Sequence, residues 1–248
     1  MARIVEEIGR VRLVLTERVE ARILISGFHG VGHVGWIATR YIADKLGTRR
    51  VGIVLTPDMP AFVSVVKNSV AAPYELHLKD DYLLFVTNTP LAQRDLSRVP
   101  LALAEYALKA GVEETILFGG LDKRFAAEND DSVRIAPTRK YVEKHSNDLG
   151  WLKVIEEGLG IVGPLALMLT FYEAYDSSAV AILPYASPDR PDPLAASKAI
   201  EVANKLLSLS VDTEELREEA VLLERRIEEI QRRISEITRE REPPSYHV

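Results

Sequence analysis

The chain has 248 residues, 47% of them hydrophobic and 27% charged, which is ordinary for one large globular domain or a domain with an appendage. Its formal net charge of −6 argues against a nucleic-acid partner, because general affinity for phosphates depends on clustered Lys and Arg. The absence of cysteine excludes disulfides, thiolate metal sites and a cysteine nucleophile.

The sequence also predicts a cytoplasmic protein without a membrane partner. Its first residues include Glu6 and Glu7, where a signal peptide would have a basic start and an apolar core. No apolar run approaches the roughly 20 residues that a membrane-spanning helix needs.

The predicted elements begin with a short alternating strand at 11–15, which we expect to pair with an apolar strand at 23–25. A glycine-rich loop, GFHGVGHVG, follows at 27–35 and leads into a helix at 36–46. The change from a strand pattern to a helical one across four glycines indicates a strand–turn–helix crossover.

This loop satisfies the dinucleotide-binding pattern G-x-G-x-x-G at Gly30, Gly32 and Gly35. Backbone N–H groups at such a helix start can hold a phosphate, and Asp58 follows the next strand roughly where a ribose-binding acid is expected. Tight packing of a strand against a helix gives the same pattern. We interpret the loop as structural, with Gly30 and Gly32 required for positive φ or close contact. A nucleotide- or small-ligand-binding α/β enzyme is the alternative function.

A buried parallel strand is predicted at 51–55, followed by three strands in quick succession. The short polar turns between these three predict antiparallel pairing inside a sheet otherwise built from crossover connections, and therefore a mixed sheet. The three strands are 62–66, 74–78 and 82–86.

The second half alternates helices and strands, as α/β proteins do. A Leu- and Ala-rich helix at 94–110 precedes a strand at 115–118, and Asp122 follows that strand at the edge where open sheets place ligands. We interpret Asp122 as a solvated loop acid. Pro164 begins a helix after a second glycine-rich turn, and Asp192 caps a later one. The remaining predicted elements are strands at 133–136 and 179–184 and helices at 140–147, 165–174 and 194–207.

Residues 212–241 are predicted to form an amphipathic helix. Apolar residues recur there in alternating steps of four and three, which keeps one seam facing another helix. The seam can pack equally well against the equivalent helix of another subunit or against the protein's own body. We divide the chain into an α/β core domain at 1–211, this helix, and a flexible tail at 242–248. The seam residues are Leu216, Ala220, Leu223, Ile227, Ile230, Ile234 and Ile237.

No catalytic constellation is found in the sequence. His29 and His33 have the spacing of a zinc-binding pair, but they lie on a glycine turn without the usual intervening Glu. Asp130 and Asp131 lie in a predicted loop, and the Gly-x-Ser-x-Gly elbow of serine hydrolases does not occur. We therefore predict a non-enzymatic protein without a cofactor or a metal ion.

Several stretches together resemble the proteasome assembly chaperone family of archaea and bacteria. The resemblance extends to about residue 224, and the combination is more specific than one glycine loop. It rests on the glycine loop 27–35, the segments 45–47 and 58–60, the glycine turn 158–164 and the motif RPDPLAA at 190–196.

The resemblance implies a three-layer α/β/α sandwich with a mixed sheet, similar to the nucleoside phosphorylase architecture but without that enzyme's active site. It implies a homo-oligomer that binds the 20S proteasome or helps its α-subunits to assemble. Some family members dock through a C-terminal tail that ends in a hydrophobic residue, a tyrosine and any residue. Here Tyr246, His247 and Val248 take those places with the tyrosine one position early, and we predict that they form a docking peptide.

Overall fold

The structure is a computed structural model that describes residues 3–66, 68–127, 130, 132–146 and 149–241, with the side chains of α6 described as far as residue 230. The strands are β1 Ile4–Ile8, β2 Val11–Leu15, β3 Ile23–Gly27, β4 Arg49–Leu55, β5 Ser64–Val66, β6 Ser69–Ala71, β7 Tyr74–Lys79, β8 Tyr82–Thr87, β9 Glu114–Phe118, β10 Leu121–Asp122, β11 Arg134–Pro137, β12 Lys153–Val154, β13 Ser178–Leu183 and β14 Tyr185–Ala186. The helices are α1 Val34–Lys45, α2 Asp95–Lys109, α3 Arg139–His145, α4 Pro164–Ala174, α5 Pro193–Leu207 and α6 Glu214–Arg241.

Ten of the described strands form one mixed sheet in the order β1-β2-β4-β7-β8-β3-β9-β13-β11-β12. The central strands β8, β3, β9 and β13 are parallel, whereas β1, β2, β4 and β7 pair antiparallel at one end. β13 is buried along its whole length, as expected for an apolar strand covered on both faces. β2 alternates between buried and more exposed residues, because only one of its faces packs on the core.

Helices pack on both faces of the sheet, and the predicted α/β fold with a mixed sheet is confirmed. α2 and α4 pack against each other on one face, where Leu103 and Met168 join a buried core. α1, α3 and α5 lie on the other face, with Ile42 and Ile200 in a second core. Each fully buried side chain of this size contributes about 1.5–3 kcal/mol, so the two cores hold the helices to the sheet.

Two predicted pairings are wrong. β2 pairs with β1 and β4 rather than with β3, because a tight turn containing Gly9 at φ +58° joins it to β1, a strand that the sequence pattern did not predict. β4, predicted to be parallel, is antiparallel to both β2 and β7. An apolar run indicates burial but carries no information on strand direction, which the chain connections decide.

The three strands predicted in quick succession divide between two sheets. β7 and β8 pair antiparallel within the main sheet, as predicted. The first of the three is shorter than predicted and pairs with β6 in a separate two-stranded unit, called the hairpin here. The Arg50 guanidinium donates a hydrogen bond to the carbonyl oxygen of Val70 at 2.6 Å and so fastens the hairpin to β4.

The first five helices begin and end within about two residues of the predicted positions. The predicted cap of α5 is confirmed: the Asp192 carboxylate accepts a hydrogen bond from the backbone N–H of Ala195 at 3.0 Å, and Pro193 occupies the first helical position. α4 begins at Pro164 after Gly163, which has φ +78°. None of the helices in the described ranges is both long and apolar enough to cross a membrane.

Candidate functional site

Two glycine-rich loops and the end of β9 meet at the carboxyl edge of the parallel strands. The first loop leaves β3, makes a 3-10 turn at Val31–His33 and enters α1, and the second precedes α4. A cleft of about 690 Å³ lies between them, where open α/β sheets place ligands. Apolar side chains form much of its wall, among them Phe28, Val31, Leu159, Ile161, Leu165 and Leu183.

The glycines of the first loop have different structural roles. Gly35 packs so closely against β9 that a Cβ atom there would lie 2.4 Å from the carbonyl oxygen of Phe118. Gly32 has φ +60°, and its Cβ would lie 2.7 Å from the Cβ of Ala186. Gly30 has φ −164°, which any residue adopts, and a Cβ there would meet nothing within 4 Å. The expectation that Gly30 needs to be glycine is therefore wrong. A ligand role for Gly30, Gly32 and Gly35 stays a prediction.

An aromatic cluster borders the cleft. The half-buried His29 ring stacks on Trp36 with ring centroids 4.9 Å apart, and His33 meets His29 edge-on at 5.5 Å. Burial, together with the nearby His33, lowers the pKa of His29 from 6.5 to about 4, so its ring is neutral at pH 7. Among the described residues no three His, Asp or Glu side chains gather as metal ligands. The two histidines thus pack as aromatic rings.

The two acids considered for ligand binding are both bound by arginines. Asp58 accepts hydrogen bonds from Arg94 at 3.2 Å and from Arg98. Its strand, β4, is separated from β3 by β7 and β8, whereas the dinucleotide motif needs the acid on the strand beside the glycine loop. Asp122 lines the cleft but is paired with Arg124 at 2.5 Å. Asp58, Asp122 and the glycine loop are therefore not arranged as in a dinucleotide-binding site.

A buried acid on β7 was missed by sequence reasoning. Glu75 is 4% exposed and accepts hydrogen bonds from Arg50 at 2.6 Å and from the backbone N–H of Ala72 at 2.9 Å, and it pairs with His77 at 3.0 Å. Burial acts to raise the pKa of Glu75, but these hydrogen bonds outweigh it and lower the pKa from 4.5 to about 2. The available signal was the recurrence of Glu75 and His77 on one face of an otherwise apolar strand.

A second cluster ties together the loops at the carboxyl edge. The buried Arg134 donates hydrogen bonds to Asp130 at 2.7 Å and to Glu156 at 2.5 Å, and its guanidinium lies 5.2 Å from the Tyr185 ring centroid. The hydrogen bond from Arg134 holds the pKa of Asp130 far below its usual range. Arg134 therefore joins the loop after β10 to the segment that leads into the second glycine turn. Asp131 lies outside the described residues.

The seam of α6 is covered over only part of its length. Leu216 is buried, and Ala220, Leu223 and Ile227 are half-buried where α6 packs on α5. Ile230, the next seam residue, is 57% exposed. The protein's own body thus covers the seam as far as Ile227 and leaves Ile230 exposed.

Ion pairs flank the contact between α5 and α6. Arg217 pairs with Glu201 near the start of α6, and Arg190 pairs with Glu224 further along. These are exposed surface pairs, which contribute little, so the apolar seam provides the main attachment. The remaining predicted site residues lie outside the described side chains or outside the described residues altogether: Ile234, Ile237, Tyr246, His247 and Val248.

Known proteins resemble this chain over most of its length. The model of the PAC2 family matches residues 24–231. An uncharacterised protein of Methanocaldococcus jannaschii is 27% identical, over 92% of this chain and 91% of its own. The crystal structure of Pyrococcus furiosus PbaA, described as an archaeal homolog of proteasome-assembly chaperone, is 26% identical with a TM-score of 0.81 and covers 94% of this chain and 96% of that chain. P. furiosus PbaB, described as an archaeal proteasome activator, is 23% identical with a TM-score of 0.73 and covers 90% of this chain and 100% of that chain. At this identity the likeness is one of fold alone.

Proposed function

Because the chain belongs to the PAC2 family, we propose that it is a chaperone or binding protein of the 20S proteasome that acts through the α-subunits. The likeness to PbaA is the observation that supports this role best, since that protein is itself a homolog of a proteasome-assembly chaperone. We expect the protein to act in the cytoplasm as a homo-oligomer.

The protein is non-enzymatic, and the family assignment confirms this prediction from the sequence. A role of this kind depends on surfaces that bind partners rather than on a reaction centre. In our proposal residues 1–211 form the body, residues 212–241 form the helix that reaches a partner, and residues 242–248 form a docking tail.

The part of α6 that follows Ile227 is the surface that we propose for a partner, because Ile230 is exposed there. The body covers the seam as far as Ile227, and the sequence continues it through Ile230, Ile234 and Ile237. A seam with this spacing is covered in coiled coils by another helix. In our proposal that helix belongs to a second subunit or to the proteasome.

Changing Ile230 and Ile234 together to aspartate is expected to dissociate the homo-oligomer, which lowers its native mass, or to raise the Kd of the complex with the partner at least about tenfold. Each buried isoleucine contributes about 1.5–3 kcal/mol, and about 1.4 kcal/mol is a factor of ten in affinity. Sedimentation velocity measures the mass. Leu222→Asp is the matched control, because Leu222 is similarly exposed, at 53%, but lies off the seam. Unchanged mass and unchanged partner affinity would exclude the α6 contact.

Binding to purified α-subunits tests the proposed function and the tail together. We expect the full chain to bind unassembled α-subunits and to speed ring formation, measured by native mass spectrometry over time. Deleting residues 246–248 is expected to weaken binding to assembled α-rings at least about tenfold, because an oligomer presents several tails at once. His247→Tyr is expected to strengthen it, since a phenol hydroxyl replaces the imidazole at the predicted tyrosine position.

The two parts of this experiment fail in different ways. If the full chain neither binds α-subunits nor changes the rate of ring formation, compared with an unrelated α/β protein, the proposed function is wrong. If the full chain binds but the deletion leaves affinity unchanged and His247→Tyr gains none, only the tail is excluded as a docking element.

A further inference from the structure

The antiparallel end of the sheet has an outer face that the helices of the described chain leave open. Strands β1, β2 and β4 form this end and are called the wing. α2 packs on the inner face of β1 and β2, where Leu13, Leu15 and Val54 are buried. The helices on the other side of the sheet, α1, α3 and α5, pack on β3, β8, β9, β11 and β13. The helix layer on that side therefore stops short of the wing.

The outer face of the wing carries an apolar row. Val5 lies opposite Val14, and Val14 lies opposite Ile53, so the three side chains share this face. Val5 is 51% exposed, and the other two are half-buried. An apolar row that begins at an exposed valine and continues through two half-buried apolar side chains offers an interaction surface.

The hairpin extends this apolar surface. Val65 and Val70 lie opposite each other on the hairpin and are 72% and 53% exposed. Arg50 and Glu75 hold the hairpin beside the wing, since Arg50 bonds to the carbonyl oxygen of Val70 and Glu75 lies opposite Ile53 on the next strand. The wing and the hairpin thus offer two neighbouring apolar areas.

The outer face of the wing also carries one acidic and one basic side chain. Glu7 and Arg12 lie opposite each other on the same outer face, in the row next to Val5 and Val14, and both are exposed. Neither side chain forms an ion pair with the described residues. A face that carries one charge of each sign side by side is complementary to itself after a two-fold rotation, which brings Glu7 of one copy to Arg12 of the other.

We propose that the outer face of the wing binds a second copy of this chain across a two-fold axis, with the Val5 row packed on its equivalent and Glu7 paired with Arg12 between copies. This contact supplies one surface for the homo-oligomer expected under the proposed function, but it does not depend on binding to the proteasome. It is also separate from the α6 contact, because α6 packs on α5 and α5 packs on β13, several strands away from the wing.

A charge-reversal experiment on the full chain tests this interface. Glu7→Arg gives a face with two positive charges, and Arg12→Glu gives a face with two negative charges. Each variant alone is expected to sediment at half the mass of the unchanged protein, because like charges then meet across the axis. An equimolar mixture of the two variants is expected to regain the full mass, since a positive face then meets a negative one.

The mixture distinguishes an interface from a fold defect. Like charges opposite each other within one wing can also destabilise the chain slightly, but mixing two proteins cannot repair that repulsion. Thermal unfolding of each variant monitors it directly. The proposal is overturned if both variants keep the mass of the unchanged protein, or if their mixture stays at half of it.

Discussion

Gly35→Ala is expected to lower the free energy of unfolding by about 3 kcal/mol or more. The added Cβ would lie 2.4 Å from the carbonyl oxygen of Phe118 and 2.7 Å from the backbone nitrogen of Phe28. Both neighbours are backbone atoms, which cannot turn away as a flexible side chain can. β3, β9 and the start of α1 would have to move apart, and these elements lie in the middle of the sheet. Urea unfolding followed by circular dichroism measures the loss.

Gly30→Ala is the matched control in the same loop. A Cβ at Gly30 meets nothing within 4 Å, and its φ of −164° suits any residue. We expect a change of less than about 0.5 kcal/mol. Equal losses in the two variants would show that the close approach of Gly35 to β9 is not the reason for glycine there.

Arg50→Met is expected to cost about 3 kcal/mol, because it leaves the buried Glu75 carboxylate without its cation. The variant also removes the hydrogen bond from Arg50 to the hairpin at Val70. Arg49→Met is the control, since Arg49 makes an exposed surface pair with Glu17, which contributes little to stability. Chemical unfolding of the two variants compares these losses, and equal losses would contradict a special role for Glu75.

The pH dependence of stability provides a second check on the same cluster. Because the pKa of Glu75 falls from 4.5 to about 2 on folding, its contribution is complete above about pH 4.5 and is lost as the pH falls toward 2. The shift corresponds to at most about 3 kcal/mol. Glu75→Gln is expected to flatten the stability profile in this window. A profile as steep as that of the unchanged protein would place the acid sensitivity elsewhere.

Much of the secondary structure could be predicted because its signals are local. The seam spacing of α6, the Asp192 cap and the glycine-rich turn before Pro164 are each readable within a few residues, and the structure places helices at these positions. Strand pairing was harder to predict. The direction of β4 and the neighbours of β2 depend on where distant segments enter the sheet, so an apolar run could not decide them.

The candidate site shows the same division between local and distant information. The loop with Gly30, Gly32 and Gly35 is visible in the sequence, but their different roles depend on Phe118 and Ala186, which the fold brings to them from far along the chain. The burial of Glu75 likewise depends on Arg50 and on the hairpin that lies over it.

Residue type and spacing alone establish which residues are apolar, where the chain turns and caps, and that α6 carries one continuous apolar seam. Which of those apolar residues are covered depends on the fold. Coverage of the α6 seam extends to the half-buried Ile227, and the helix layer on the outer side of the sheet ends before the wing, so Ile230 and Val5 are exposed. Exposure depends on what the fold places opposite a side chain, and no local pattern contains that information.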